Sequence, residues 1–87
     1  MREMSKLFQQ AIRLEVEEDV QHKPIAFLYK GRRERVGETL KRWRITQGWW
    51  KRAVEREYFQ IRTEAGIVCE LYRDLLTGVW YLQRIYD

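Results

Sequence analysis

Apolar and polar side chains alternate along most of the C-terminal third of the chain. Alternation with period two, in runs rich in β-branched and aromatic residues, is typical of strands, and single glycines between such runs are typical of hairpin turns. The apolar positions fall in three runs separated by Gly66 and Gly78: Phe59 and Ile61; Ile67, Cys69 and Leu71; Trp80 and Leu82. The pattern predicts a three-stranded antiparallel meander.

The hairpin loops then fix which residues of this meander face each other. A three-residue first loop places Ile61 opposite Cys69, and a four-residue second loop places Leu71 opposite Leu82. A slip of either hairpin by one residue would turn half of the apolar side chains to solvent, so the two registers support each other. The opposite face receives a row of Tyr58, Tyr72 and Tyr81, flanked by Gln60, Glu70 and Gln83 and then by Arg62, Val68 and Ile85.

Two shorter alternating runs, residues 12–16 and residues 25–29, precede the meander and predict two more strands. Residues 34–45 change phase part of the way along. One long strand, bent by a bulge near Lys41, would explain the change, and a helix over residues 38–43 is the competing interpretation.

Residues 1–10 are predicted to form either a short helix or a frayed arm, because four apolar residues lie at helical spacing: Met4, Leu7, Phe8 and Ala11. A chain of 87 residues has the size of one domain. We therefore expect a single domain over residues 1–87, with a β domain over residues 11–87. The predicted fold is all-β, a strongly bent antiparallel sheet of five or six strands approaching a small barrel, with or without the short N-terminal helix.

The charge of the chain is unevenly distributed. Residues 30–56 carry ten basic and three acidic side chains, a local net charge of +7, whereas the remainder has a net charge of −3. A cationic surface attracts polyanions, although a solvated basic face would give the same sequence. The candidate phosphate-binding residues are Arg32, Arg33, Arg35, Arg42, Arg44, Lys51 and Arg52.

The tyrosine row adds a second candidate feature for nucleic-acid binding. Exposed aromatic rings on a sheet can stack single-stranded bases, so Tyr58, Tyr72 and Tyr81 are candidate base-stacking residues. Alternatively the tyrosines pack beneath residues 1–10 or against Trp49 and Trp50, or support one another as cross-strand pairs.

No motif for catalysis appears along the chain. The only serine is Ser5, the only cysteine is Cys69 in an inward strand position, and His22 has no nucleophile near it in the sequence. One histidine and one cysteine do not make a zinc site, and single glycines do not make a phosphate loop. We expect no enzyme activity, no metal and no cofactor. No apolar run reaches the length of a membrane span or of a signal peptide, so the expected location is cytoplasmic.

Residues 49–87 also contain a set of aromatic and charged motifs. They are Trp49 and Trp50; Arg56, Tyr58 and Phe59; Glu70 to Asp74; Thr77, Gly78, Trp80, Tyr81 and Leu82; Tyr86 and Asp87. In these motifs, and also in the turn of Lys30 to Arg33 and in Trp43, the chain resembles a small bacterial family that is described as a domain of unknown function. A similar tail occurs at the ends of translesion-type DNA polymerase-like proteins, so the resemblance implies a setting in DNA repair and a repair polymerase as a partner.

Two functions remain open from the sequence. The first is a non-catalytic binding module for nucleic acid, with DNA favoured over RNA, that uses the basic segment and the aromatic face. The second is a protein-interaction module that docks an acidic partner or a second copy of itself as a homodimer. The salt dependence of oligonucleotide binding distinguishes the two.

Overall fold

The computed structural model describes residues 5–49 and 52–86, and it describes side chains over residues 10–48 and 53–86. The described residues form seven strands: β1 (Ser5–Leu14), β2 (Val16–Glu18), β3 (Pro24–Tyr29), β4 (Arg32–Trp49), β5 (Arg52–Thr63), β6 (Val68–Asp74) and β7 (Trp80–Tyr86). They make one antiparallel sheet in the order β1-β7-β6-β5-β4-β3-β2. The all-β class is therefore confirmed, with seven strands instead of five or six.

The sheet curls because its two edge strands are neighbours in the sequence. Strands β1 and β2 lie at opposite edges, yet Glu15 alone separates them in the chain. The edges must therefore meet at this point, and the carbonyl of Glu15 accepts a hydrogen bond from the amide of Leu28 in β3 at 3.0 Å. A sheet whose edges meet at one end and part at the other is a half-barrel.

The short N-terminal helix was a wrong prediction. Residues 5–14 form β1, which pairs with β7 on both sides of an irregular segment, since Leu7 lies opposite Arg84 and Ile12 opposite Leu82. Five steps along β1 thus match two steps along β7. Leu7 borders this irregular segment and Phe8 and Ala11 lie within it, where the period of two that marks a strand is interrupted, so their spacing resembles that of a helix. Residues 1–4 lie outside the described residues.

The predicted registers of the meander are confirmed. Ile61 lies opposite Cys69, and Leu71 lies opposite Leu82. Gly66 and Gly78 have φ angles of +94° and +79°, which explains why glycine occupies both turns.

One detail of the last strand was predicted wrongly. Glu70 pairs with Arg84 and the next residue of β6, Leu71, pairs with Leu82, so Gln83 is an extra residue in a bulge. The bulge shifts the phase of β7 by one residue. Ile85 therefore lies opposite Cys69 and packs against the core, instead of joining the outer face.

The long strand with a bulge is confirmed, and the helix over residues 38–43 is wrong. The pairing of β4 with β5 shifts twice, between Val36 and Glu38 and between Thr39 and Lys41. On its other side β4 pairs with β3 over Arg32 to Arg35 alone. Within the described residues, the rest of β4 is thus a free edge of the sheet.

The core lies on the concave face of the half-barrel. Its buried side chains are Leu14, Phe27, Phe59, Ile61, Cys69, Leu71, Trp80 and Leu82. The rings of Phe59 and Trp80 are 5.3 Å apart between centroids. Every member comes from an inward position of a strand, so the convex face is left for the candidate site.

Candidate nucleic-acid interface

The basic segment does not form one surface patch. Arg32, Arg33 and Arg35 lie at the start of β4, beside β3. Arg42 and Arg44 lie farther along β4 and pair with Phe59 and Glu57 of β5. Residues 33 and 42 are nine positions apart, which corresponds to roughly 30 Å of extended chain. These two groups of arginines, which are close in the sequence, therefore lie far apart along the strand.

Most of these arginines form ion pairs with glutamates. The distances between nitrogen and oxygen are 2.7 Å for Arg33–Glu17, 3.5 Å for Arg35–Glu64, 2.7 Å for Arg42–Glu57 and 2.8 Å for Arg44–Glu55. The hydrogen bond from Arg33 also holds the pKa of Glu17 below its ordinary value. The pairs of Arg33, Arg35 and Arg44 are largely exposed and contribute little free energy, so these arginines can exchange their glutamates for a phosphate. Arg42 is held more firmly, because its pair is less exposed and its guanidinium also donates a hydrogen bond to the carbonyl of Gln21 at 3.0 Å. The side chains of Lys51 and Arg52 lie outside the described residues.

The tyrosine row forms as predicted, but it is not an exposed platform. Tyr58 lies opposite Tyr72, and Tyr72 lies opposite Tyr81. Their ring centroids are 5.0 Å apart at each step. Tyr58 and Tyr72 are only 8% and 5% exposed, so neither can offer a ring face to a base. The alternative interpretation, mutual support as cross-strand pairs, is confirmed for these residues.

Trp43 adds a fourth ring to the row, and this ring was not predicted from the sequence. Its ring stacks on Tyr58 with centroids 5.3 Å apart and an angle of 11° between planes. The two inner rings, Tyr58 and Tyr72, thus have a neighbour on both sides, whereas Trp43 has an aromatic neighbour on one side. Trp43 is half-buried. The pairing of Trp43 with Tyr58 depends on both bulges of β4, because each one shifts the register of β4 against β5. The sequence predicted only the bulge near Lys41.

Cationic side chains cover parts of this aromatic row. The guanidinium of Arg56 lies 4.5 Å from the ring centroid of Tyr72 and donates a hydrogen bond to the hydroxyl of Tyr58 at 3.3 Å. The ammonium of Lys41 lies 5.3 Å from the ring centroid of Trp43. Such contacts are cation–π interactions. Burial raises the pKa of Tyr72, so its hydroxyl stays protonated and neutral.

The β4–β5 hairpin, residues 44–56 of the sequence and called the arm below, projects beyond the rest of the sheet, and its described residues 44–49 and 52–56 form two paired strands. Strand β6 accompanies β5 only as far as the pair of Arg56 and Asp74, whereas β4 and β5 remain paired up to Trp49 and Arg52. The arm carries four basic side chains and one acidic side chain, a net charge of +3, against +4 for the whole chain. The arm therefore carries +3 of the net charge of +7 of residues 30–56, and residues 30–43 carry the other +4.

A polar cluster closes the concave face near the base of the arm. The carboxylate of Glu18 accepts a hydrogen bond from the indole nitrogen of Trp80 at 2.7 Å and lies 2.8 Å from Nδ1 of His22. Nε of Arg73 is 3.9 Å away. Burial, the largest single influence, raises the pKa of Glu18, but these three contacts together outweigh it and hold the pKa below its ordinary value of 4.5.

This shift predicts acid sensitivity of the fold. Because the native state favours the ionised carboxylate, Glu18 stabilises the protein above pH 4.5 and loses this effect as the pH falls below it. We expect Glu18→Gln to be less stable than the wild type at pH 7 and to approach it in stability below pH 4.5, as measured by urea unfolding at each pH. The exposed Glu15→Gln is the control, and parallel pH profiles for the wild type and Glu18→Gln would contradict the prediction.

A small apolar cavity lies at the open end of the half-barrel. Its volume is about 100 Å³, and Phe27, Ile67, Cys69 and Ile85 are among the residues that line it. Burial, with a smaller contribution from Glu34, raises the pKa of the Cys69 thiol to about 11. The thiol is therefore protonated at neutral pH and is a packing residue, as its inward strand position predicted.

Among the side chains that the structure describes, no three histidine, cysteine, aspartate or glutamate residues converge as metal ligands would. No helix long and apolar enough to cross a membrane occurs in the described part of the chain.

Comparison with known proteins identifies the family. The chain matches the model of the family described as Domain of unknown function (DUF6504) over residues 4–87. No curated protein and no solved structure matches it. Most of the sequence motifs that pointed to a domain of unknown function lay in residues 49–87, and the match covers residues 4–87. The chain belongs to the DUF6504 family.

Proposed function

We propose that this protein is a non-catalytic, cytoplasmic module that binds nucleic acid through the arm, residues 44–56. The observation that carries the proposal is the shape and charge of the arm. It is a two-stranded ribbon with a net charge of +3 that projects past its neighbouring strands. Cationic side chains on a projecting element neutralise phosphates and release counterions, which drives association with nucleic acid.

The size of the arm fits nucleic acid. From residue 45 to residue 49 the ribbon extends by about 14 Å, at ~3.4 Å per residue. A two-stranded ribbon fits the major groove of a duplex, which is about 12 Å wide. Trp49 and Trp50 follow in the sequence at the end of β4, and aromatic side chains stack on bases that are unpaired.

The resemblance to a polymerase tail supports the same proposal. A binding module at the end of a translesion-type DNA polymerase-like protein would raise the local concentration of that polymerase on DNA. The proposed nucleic acid is therefore DNA, and the proposed protein partner is a repair polymerase.

Reversing the charges of the arm tests the proposal. We expect Lys51→Glu/Arg52→Glu to bind a fluorescein-labelled 15-mer of thymidine at least about tenfold more weakly than the wild type in low salt. The slope of log K against log salt should fall by about 0.7 for each lost phosphate contact. Fluorescence anisotropy between 25 and 200 mM salt measures both.

The matched control is Lys30→Glu/Arg32→Glu at the opposite end of β4. It changes the net charge by the same amount, and Lys30 and Arg32 are exposed residues at the β3–β4 turn. A general effect of net charge would weaken both variants equally, and equal weakening would contradict the proposal. The absence of binding by the wild type in 25 mM salt would remove nucleic acid as the ligand.

The free edge of β4 favours a second candidate function, the docking of another protein. Unpaired edges accept an extended partner strand, and Lys41, Arg42 and Arg44 on this edge would suit an acidic segment. The same positive charges oppose the pairing of two copies along this edge. Binding of a fluorescein-labelled acidic peptide, measured by anisotropy at the same ionic strength, with no binding of the labelled oligonucleotide, would favour this candidate.

A further inference from the structure

Trp43 lies at the one end of the aromatic row that meets a free edge. The row runs across four adjacent strands, from Trp43 on β4 through Tyr58 and Tyr72 to Tyr81 on β7. Beyond Tyr81 the sheet continues into β1, where Arg13 is the paired residue. Beyond Trp43 there is no further strand among the described residues, because β3 leaves β4 after Arg35.

The geometry of the stack leaves one face of the indole without an aromatic neighbour. With 11° between planes and 5.3 Å between centroids, Trp43 and Tyr58 stack nearly parallel, so Tyr58 covers one face of the indole. The opposite face is directed past the edge of the sheet. Of the residues described there, Lys41 approaches the ring, with its ammonium 5.3 Å from the centroid. The Lys41 side chain is exposed and flexible, so an incoming group can displace it.

We propose that Trp43 and Lys41 form a subsite for one nucleotide of a single-stranded nucleic acid that lies along the free edge of β4. This inference rests on the proposed function of the arm and names its substrate class. A nucleobase would stack on the outer face of the indole, and the displaced ammonium of Lys41 would bind the phosphate of the same nucleotide. An aromatic ring beside a cationic side chain is the combination with which proteins bind single strands without reading their sequence.

The remainder of the aromatic row makes this subsite rigid. Tyr58 supports the indole from behind, and Arg56 holds Tyr58 through the hydrogen bond to its hydroxyl. A ring that is already fixed loses little conformational entropy when a base stacks on it. The buried tyrosines, which the sequence analysis assigned to base stacking, therefore act as positioning residues for Trp43.

The substitution Trp43→Leu tests the subsite, because leucine keeps an apolar side chain over Tyr58 but removes the planar ring. We expect affinity for the labelled thymidine 15-mer to fall roughly 5- to 150-fold, the range for one lost base stack. Affinity for a 15-base-pair duplex should not change, since the faces of paired bases are covered by their neighbours. The salt slope for the single strand should also stay the same, because stacking releases no counterions.

A second substitution, Lys41→Gln, tests the other residue of the subsite. It should lower the salt slope for the single strand by about 0.7, as expected for one phosphate contact. Tyr81→Leu, at the other end of the row, is the control and should leave single-strand affinity unchanged. Cross-linking of a 5-iodouracil oligonucleotide, mapped by mass spectrometry, should identify Trp43. Thermal unfolding verifies that each variant is folded, and Trp43→Phe should restore part of the affinity.

The possible outcomes distinguish a failure of the subsite from a failure of the proposed function. Equal losses of single-strand and duplex affinity in Trp43→Leu would show a structural effect and overturn the subsite. Unchanged single-strand affinity in Trp43→Leu, together with a tenfold loss in Lys51→Glu/Arg52→Glu, would overturn the subsite and retain the arm. No binding by the wild type would overturn both.

Discussion

Truncation of Trp80 to alanine is expected to unfold the protein or bring it close to unfolding. Trp80 is 3% exposed, its ring packs against Phe59, and its indole nitrogen donates a hydrogen bond to Glu18 at 2.7 Å. Removal of a buried tryptophan costs roughly 3 to 5 kcal/mol through the cavity that remains. Small domains have a free energy of unfolding of about 5 to 15 kcal/mol, so this loss removes a large part of it.

The control variant for this prediction is Trp80→Phe. Phenylalanine keeps an aromatic ring against Phe59 but has no N–H group for Glu18. A hydrogen bond to a charged group contributes about 1.5 to 3 kcal/mol, so this variant should lie between the wild type and Trp80→Ala. Urea unfolding followed by circular dichroism measures all three. A Trp80→Ala variant with the midpoint of the wild type would mean that this side chain does not belong to the core.

The fold was predictable in the meander, where the lengths of the hairpin loops and the alternation of apolar residues require the same register. The pairs Ile61–Cys69 and Leu71–Leu82 follow from loop lengths and from burial of one face, so little freedom remained. The phase of Ile85 was wrong because a bulge at Gln83 adds a residue without changing the composition of the strand. A bulge that no glycine marks leaves no signal in a single sequence.

The prediction of a helix at the N-terminus was wrong for the same physical reason. A break in pairing between Leu7 and Ile12 gave β1 an apolar spacing that resembles a helix. Pairing with a distant strand decides such a case, because β7 supplies the hydrogen bonds that a helix would make internally. Local pattern alone cannot reveal this partner, which lies about seventy residues away in the chain.

The candidate site was predictable in part. Sequence identified the tyrosine row, but not that its inner rings cover each other or that Trp43 completes it. Sequence identified the basic segment, but not the glutamates that pair with its arginines, since Glu17 and Glu64 lie far from Arg33 and Arg35 in the chain. Burial decides which aromatic rings can contact a ligand, and ion pairing decides which basic groups are free to do so. Both depend on the curled sheet, because it brings together residues that are distant in the sequence.

Replacement of Tyr72 by alanine is the second large effect that we expect. Tyr72 is 5% exposed, has a ring neighbour on each side and lies beneath the guanidinium of Arg56. Truncation of a buried aromatic residue costs roughly 3 to 5 kcal/mol, and a loss of 3 kcal/mol lowers the melting temperature of a domain of this size by about 12 to 24 °C. Thermal unfolding measures this loss, and the half-buried Tyr81→Ala is the control with the smaller expected shift.

The same variant separates a structural role of Tyr72 from a direct role in binding. Since both faces of its ring are covered, Tyr72 cannot stack a base, and any loss of affinity in Tyr72→Ala must come from weaker support of Tyr58 and Trp43. We therefore expect its oligonucleotide affinity, measured below its melting temperature, to fall less than that of Trp43→Leu, while its stability falls more. A stable Tyr72→Ala variant with a selective loss of single-strand affinity would contradict the burial of the row. The tyrosines would then again be the candidate base-stacking residues.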